Sequence, residues 1–144
     1  MIVIDTNVIS ELWKASPNAN VLAWVDSQMV ESLYLTAITV AEIRFGLGTM
    51  PEGKRRSIYQ ERLESEVLPA FSGRVLPFDL DASIAYANIM SNARMAGLAI
   101  GREDGYIAAI ASTRNLIVAT RDVSPFQAAN LKVINPWEVS SFGP

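Results

Sequence analysis

The sequence contains no cysteine and no histidine. That absence excludes disulfides, thiol nucleophiles, zinc fingers and imidazole acid–base chemistry, so any catalysis must run on carboxylates, hydroxyls, lysine or a bound ion. An excess of positive charge is also missing. At a net charge of −3, no long-range field attracts nucleic acid, and any contact with it must be local. Half of the residues are hydrophobic, yet no uninterrupted apolar run approaches the roughly 18 residues that span a bilayer. Met1-Ile2-Val3-Ile4-Asp5 has no basic opening and meets an acid too early for a secretory leader. The expectation is a soluble protein of the cytoplasm. Repeats, linkers and low-complexity blocks are likewise missing.

What remains is a chain of 144 residues, enough for one domain that buries roughly two-thirds of the surface its unfolded form exposes. Ile2, Val3 and Ile4 form a two-sided apolar run of the kind a buried parallel strand shows, and Asp5-Thr6-Asn7 supplies helix-capping chemistry after it. Short helices are expected over Val8 to Trp13 and, with Pro17 at the first helical position, over Val21 to Val25. Leu33-Tyr34-Leu35-Thr36 reads as a second strand. Thr39 and Glu42 have the spacing of a capping box, opening a helix whose apolar stripe of Val40, Ile43 and Leu47 runs up to Gly48. Residues 52–68 are rich in Lys, Arg and Glu, with Tyr59, Leu63 and Val67 at four-residue spacing. They read as an outer amphipathic helix whose partner is a helix of this chain or of a second one.

Arg74-Val75-Leu76-Pro77-Phe78 reads as a third strand. Ala82, Ala85, Tyr86, Ile89, Ala93 and Ala96 mark one face of a helix stopped by Gly97. A further helix opens at Asp104, Leu116 to Ala119 is a fourth strand, and Leu131 to Ile134 is a fifth, stopped by Pro136. Strands alternating with helices give the fold class: α/β, one domain over 1–138, a mostly parallel central sheet of four to five short strands, and helices on both faces. Residues 139–144 read as a frayed C-terminal tail.

In such sheets ligands bind beyond the carboxyl ends of the strands. Asp5, Glu42, Asp104 and Asp122 all fall there. Each has an ordinary explanation in capping a helix or starting a turn. If they converge, their mutual repulsion requires protons or a cation, and a set with only oxygen donors suits Mg²⁺ or Mn²⁺. Such a site can hydrolyse a phosphodiester. Glu42, with the longer arm, is the candidate for holding the attacking water, and Thr6, Asn7 and Thr120 could orient the carboxylates. Lys54, Arg55 and Arg56 form the only dense basic run, and Arg102 and Arg121 stand beside two of the acids. These five are the candidates for contact with RNA, although a solvated helix face is the more common use of a run such as that from Lys54.

Five segments together resemble the PIN-domain ribonucleases, in particular the VapC and FitB-like toxins. They are Ile4-Asp5-Thr6-Asn7-Val8-Ile9-Ser10-Glu11, Thr36-Ala37-Ile38-Thr39-Val40-Ala41-Glu42-Ile43-Arg44-Phe45-Gly46, Asp104-Gly105-Tyr106-Ile107-Ala108-Ala109, Val118-Ala119-Thr120-Arg121-Asp122 and Asn135-Pro136-Trp137. The resemblance implies a PIN-like fold and the toxin of a two-gene toxin–antitoxin pair, an endoribonuclease using Mg²⁺ or Mn²⁺. It implies Asp5, Glu42, Asp104 and Asp122 as the acidic quartet, with Asp5 and Asp104 as direct metal ligands. It further implies a homodimer and an antitoxin whose C-terminal arm covers the acids and whose other end binds operator DNA. Glu11 and Glu103 stand close to this set. Two rival readings are a non-catalytic interaction module on the same fold and a phosphatase with Asp5 as nucleophile. The second lacks the nearby lysine and paired acid that aspartyl-phosphate chemistry needs.

Overall fold

The computed structural model describes residues 1–138 of the chain, and the frayed tail expected over 139–144 lies outside the described residues. Strand β1 (Ile2–Ile4) is buried throughout. Ile2 and Ile4 join one core cluster and Val3 the other, the alternation of a strand covered on both faces. Asp5 ends it by accepting a hydrogen bond from the backbone N–H of Thr6 and capping α1 (Thr6–Leu12). Helix α2 (Ala19–Asp26) is capped by Asn18. Pro17 therefore precedes the cap, and its expected place at the first helical position is corrected.

Strand β2 (Leu33–Thr36) runs directly into α3 (Ala37–Thr49). The cap here is Thr36, whose hydroxyl accepts from the backbone N–H of Thr39 at 3.0 Å. The expected box between Thr39 and Glu42 does not form, because Thr39 already lies inside the helix, and the Glu42 side chain is left free for other work. Gly48 does not stop the helix, which continues to Thr49.

Helix α4 (Lys54–Arg62), a π-helical turn over Leu63–Val67 and α5 (Leu68–Ala70) form one continuous helical run. Leu63 is buried, and Tyr59 and Val67 pack against the same cluster. That stripe serves the chain's own core. Strand β3 (Val75–Leu76) precedes α6 (Leu80–Met95), and the chain turns at Gly97 with φ 73°, a conformation glycine adopts without a Cβ penalty. Helix α7 (Arg102–Thr113) starts two residues before Asp104, with Gly101 at the cap, so Asp104 lies in the first turn instead of opening the helix. After β4 (Ile117–Ala119) comes a short α8 (Ser124–Ala128), which the sequence patterning did not suggest, and then β5 (Val133–Ile134).

All strand pairs are parallel, in the order β3-β2-β1-β4-β5. Helices α1 to α4 supply one core cluster and α6 to α8 the other. From β1 the chain moves outward through β2 and β3 on one side, then crosses to β4 and β5 on the other. The switch point therefore lies between β1 and β4, and their carboxyl ends open a crevice there.

Candidate active site

Beyond those strand ends lies a cavity of about 420 Å³ whose walls include Asp5, Glu42, Asp104 and Asp122. Four segments far apart in sequence bring the acids together: the end of β1, the second turn of α3, the first turn of α7 and the loop after β4. Thr6, Asn7 and Arg121 line the same cavity, and Thr120 sits behind Asp5.

Asp5 is buried and its carboxylate is firmly held. One oxygen accepts from the Thr6 N–H at 2.8 Å, and the other accepts from the Thr120 hydroxyl at 2.8 Å. The same Thr120 oxygen accepts from the Asp122 N–H at 3.1 Å and from the Asn7 amide at 3.2 Å. Asn7 in turn accepts from the Arg121 N–H at 3.3 Å, so one buried hydroxyl ties the end of β1 to the loop after β4. On the other side, the Thr6 hydroxyl donates to Glu42 Oε1 at 2.8 Å. The three residues expected to orient carboxylates thus do make hydrogen bonds to or around them.

Burial pushes the Asp5 carboxyl above its ordinary range, opposed by the hydrogen bonds from Thr120 and Thr6 and reinforced by the Asp122 charge. Glu42 is pushed up by burial, opposed by Thr6 and reinforced by Asp5 and Glu103. Asp104 is pushed furthest, up to about 6, by burial first and then by the charges of Asp5, Asp122, Glu42 and Glu103. No hydrogen bond to its carboxylate relieves it among the described residues. This is what like charges do when they share a partly dry space.

The donor set suits a hard divalent cation, being oxygen only, with three carboxyls whose protonation would release repulsion that a cation also releases. Among the described residues no three acids stand close enough to cage an ion by themselves. Mg²⁺ does not require a cage, because it commonly keeps several waters and uses one or two carboxylates.

Not every expected residue reaches the cavity. Arg102 is exposed at the start of α7, Lys54 and Arg55 line an adjoining groove, and Arg56 donates to the Met50 carbonyl at 3.4 Å. Conversely, Ser10, Lys14 and Trp137 line the cavity without having been singled out. Ser10 and Lys14 follow Thr6, the residue after the capping acid Asp5, at four-residue steps, and that spacing was the signal available. Trp137 carried none beyond its place after Asn135-Pro136. Glu11 also faces the cavity but is tied off. Lys14 Nζ donates to it at 2.9 Å and the Asn18 N–H at 2.9 Å, and its carboxyl is held below the ordinary range, chiefly by Lys14.

Residues 2–130 match the family model of the PIN domain. The chain belongs to the PIN-domain family. It is 67% identical over 138 residues to VapC ribonuclease Y4jK of Sinorhizobium fredii, covering 96% of this chain and 99% of that protein. It is 50% identical over 137 residues to Toxin FitB of Neisseria gonorrhoeae, covering 95% and 99%. The solved structure of FitAB bound to an IR36 DNA fragment has a TM-score of 0.93 to this PIN domain at 48% identity, over 96% of each chain. The resemblance drawn from the motifs is correct, and a PIN domain with such relatives supports a nuclease.

Proposed function

We propose that this PIN domain is the toxin of a toxin–antitoxin pair, an endoribonuclease that hydrolyses RNA phosphodiesters with Mg²⁺ or Mn²⁺ at Asp5, Glu42, Asp104 and Asp122. The observation that carries the proposal is Asp104: a half-buried acid, raised to about 6, that faces three more acids across one cavity at the sheet's switch point. A purely structural acid finds a cation or hydrogen-bond donors nearby, as Glu11 does. Asp104 has an arrangement that costs stability until something positive arrives.

In this reading Asp5 and Asp104 would hold the ion, which would supply positive charge for phosphodiester hydrolysis. Thr120 and the Thr6 N–H fix the Asp5 carboxylate, so its orientation is set before substrate binds. Glu42, anchored by Thr6, orients the attacking water and accepts its proton. Asp122 adds negative charge at the rim, and Arg121 stands 5.3 Å from the Trp137 ring on the same rim, placed to meet a substrate phosphate. Arg102, Lys54, Arg55 and Arg56 are the remaining proposed RNA contacts.

The partners follow the same line. The relative solved as FitAB on a DNA fragment supports a partner antitoxin and binding to operator DNA, and the place proposed for the antitoxin's C-terminal arm is over the acids. A homodimer is supported by α6, where Leu80, Ile84 and Met95 are 84%, 63% and 85% exposed. These three fall on one helical face, with exposed Asn88 and Ser91 between Ile84 and Met95, and that mixed face is the one proposed to meet a second copy.

The test is cleavage of structured RNA by the purified chain with Mg²⁺ or Mn²⁺, beside EDTA and beside an Asp5→Asn, Asp104→Asn variant shown to be folded. Cleavage that disappears in both controls is the expected result. Equal cleavage by wild type and variant would refute the assignment of the acids.

A further inference from the structure

The acid cavity does not end at Glu42. Thr6, Ser10, Lys14 and Glu42 also line a second groove of about 270 Å³, which extends along α1 and α3 to Trp13, Arg55 and Tyr59. A third hollow shares Trp13, Lys14, Arg55 and Tyr59 with it and reaches Lys54 and Arg62. The three form one track across the surface.

Charge changes sign along it. One end holds the four acids, and no acidic side chain lines the other, where Lys14, Lys54, Arg55 and Arg62 gather. Lys14 is paired with Glu11 and Arg62 stands 3.8 Å from Glu66, whereas Lys54 and Arg55 make no salt bridge among the described residues. Between the cations lies an aromatic pair: Trp13 and Tyr59 stack with ring centroids 5.5 Å apart and planes 10° from parallel. Arg55 and Arg62 stand 5.7 Å and 5.6 Å from the Tyr59 ring. Cations interleaved with aromatic rings match a chain that repeats a phosphate and a flat base at each step. A base-paired helix hides its base faces, so only unpaired nucleotides can use the rings. An apolar peptide would leave the cations without partners.

Resting on the ribonuclease reading, we propose that this track holds the unpaired nucleotides on one flank of the scissile phosphate. Lys54 and Arg55 take successive phosphates, and the Trp13–Tyr59 pair takes a base. The acid cavity alone repels a polyanion. The track supplies the attraction that a chain of net negative charge otherwise lacks, and it does so beside the acids where local contact is needed.

The test uses the full chain carrying Asp5→Asn and a short labelled single-stranded oligoribonucleotide of mixed sequence, with the same strand annealed to its complement as the second probe. Adding Lys54→Ala and Arg55→Ala, both exposed on α4, should weaken single-strand binding at least tenfold. It should also flatten the logarithmic salt dependence by about 1.4, at roughly 0.7 per lost phosphate contact. Trp13→Leu should weaken binding with the salt slope unchanged. Lys132→Ala, in a separate hollow by the amino ends of β1 and β4, should do neither, and the duplex should bind more weakly than the single strand. Unchanged affinity and slope after Lys54→Ala, Arg55→Ala overturns the track, and so does a variant that keeps its RNA affinity but loses its antitoxin, which would make the groove a protein-docking site. Cleavage of the same strand by the chain with Asp5 intact separates the two proposals. Cutting that is indifferent to Lys54 and Arg55 removes the track alone, track-dependent binding without cutting removes the ribonuclease reading alone, and neither binding nor cutting removes both.

Discussion

The two ends of α1 each bury a carboxylate beside the same cavity, and they treat it in opposite ways. At the C-terminal end Glu11 receives an ammonium from Lys14 and a backbone N–H from Asn18, and its carboxyl is held low. At the N-terminal end Asp5 receives only neutral donors, from Thr6, Thr120 and Asn7, faces further acids, and is held high. A buried charge whose partner is built into the fold is a structural element. A buried charge held in place but left without a counter-charge waits for one from outside, and a metal or a substrate-bound cation can supply it. The difference argues against Glu11 as a ligand, although sequence alone placed it within one helix of Asp5.

The largest effect expected is on chemistry. Asp5→Asn and Asp104→Asn should each lower the RNA cleavage rate by on the order of a hundredfold or more, several kcal/mol of lost charge stabilisation. Glu11→Gln should leave the rate near that of wild type. A Glu11→Gln variant as inactive as Asp5→Asn would erase the contrast between the two ends. Thr120→Val keeps the shape of a buried side chain and deletes the donor to Asp5. Cleavage measured against metal concentration should then need roughly 10 to 100 times more Mn²⁺, and an unchanged requirement would show that the orientation of Asp5 does not matter.

Stability should sort the same residues the other way. With EDTA present, Asp5→Asn should stay within about 1 kcal/mol of wild type in a denaturant titration, since asparagine caps a helix as well as aspartate does. Glu11→Ala should unfold more easily, because it leaves Lys14 and the Asn18 N–H without their shared acceptor. The smallest effect is on pH dependence. Asp104 binds its proton more tightly in the folded chain, at about 6 against an ordinary 3.8. Between about pH 4 and pH 6 the folded state therefore holds more of this proton than the unfolded state, and its contribution to stability falls as the pH rises through that window. Glu11, held low, contributes stability that is lost as the pH falls. The stability of the metal-free chain at pH 5 relative to pH 7.5, read from melting temperatures, should be smaller in Asp104→Asn than in the wild type, while Asp5 and Glu42, also raised, keep a share of the same sign.

Much of this was legible in the sequence, for identifiable reasons. β1 shows because a strand buried on both faces must be apolar without interruption, and Asp5 shows because the chain changes character there. All four acids could be placed at one sheet edge from the alternation of strands and helices. The roles of neighbours were less legible, because a threonine followed by a glutamate three residues on looks like a capping box whether or not the helix has begun earlier. Thr36 had already capped α3, and only the three-dimensional course of the chain turns Glu42 toward Thr6. Helix α8 is five residues long, too short to display a period. Lys14, Trp13 and Tyr59 become neighbours of the acids through the packing of α1 against α4, and neither helix alone announces it.

Thermal unfolding of the wild type and of Asp5→Asn, Asp104→Asn, each with EDTA and with millimolar Mn²⁺, tests the central claim most directly. If the acids are an ion site, the wild type should gain stability with Mn²⁺ by mass action, about 2.7 kcal/mol at a hundredfold excess over the dissociation constant, and the double variant should gain none. An equal gain in both proteins, or none in the wild type, would contradict it.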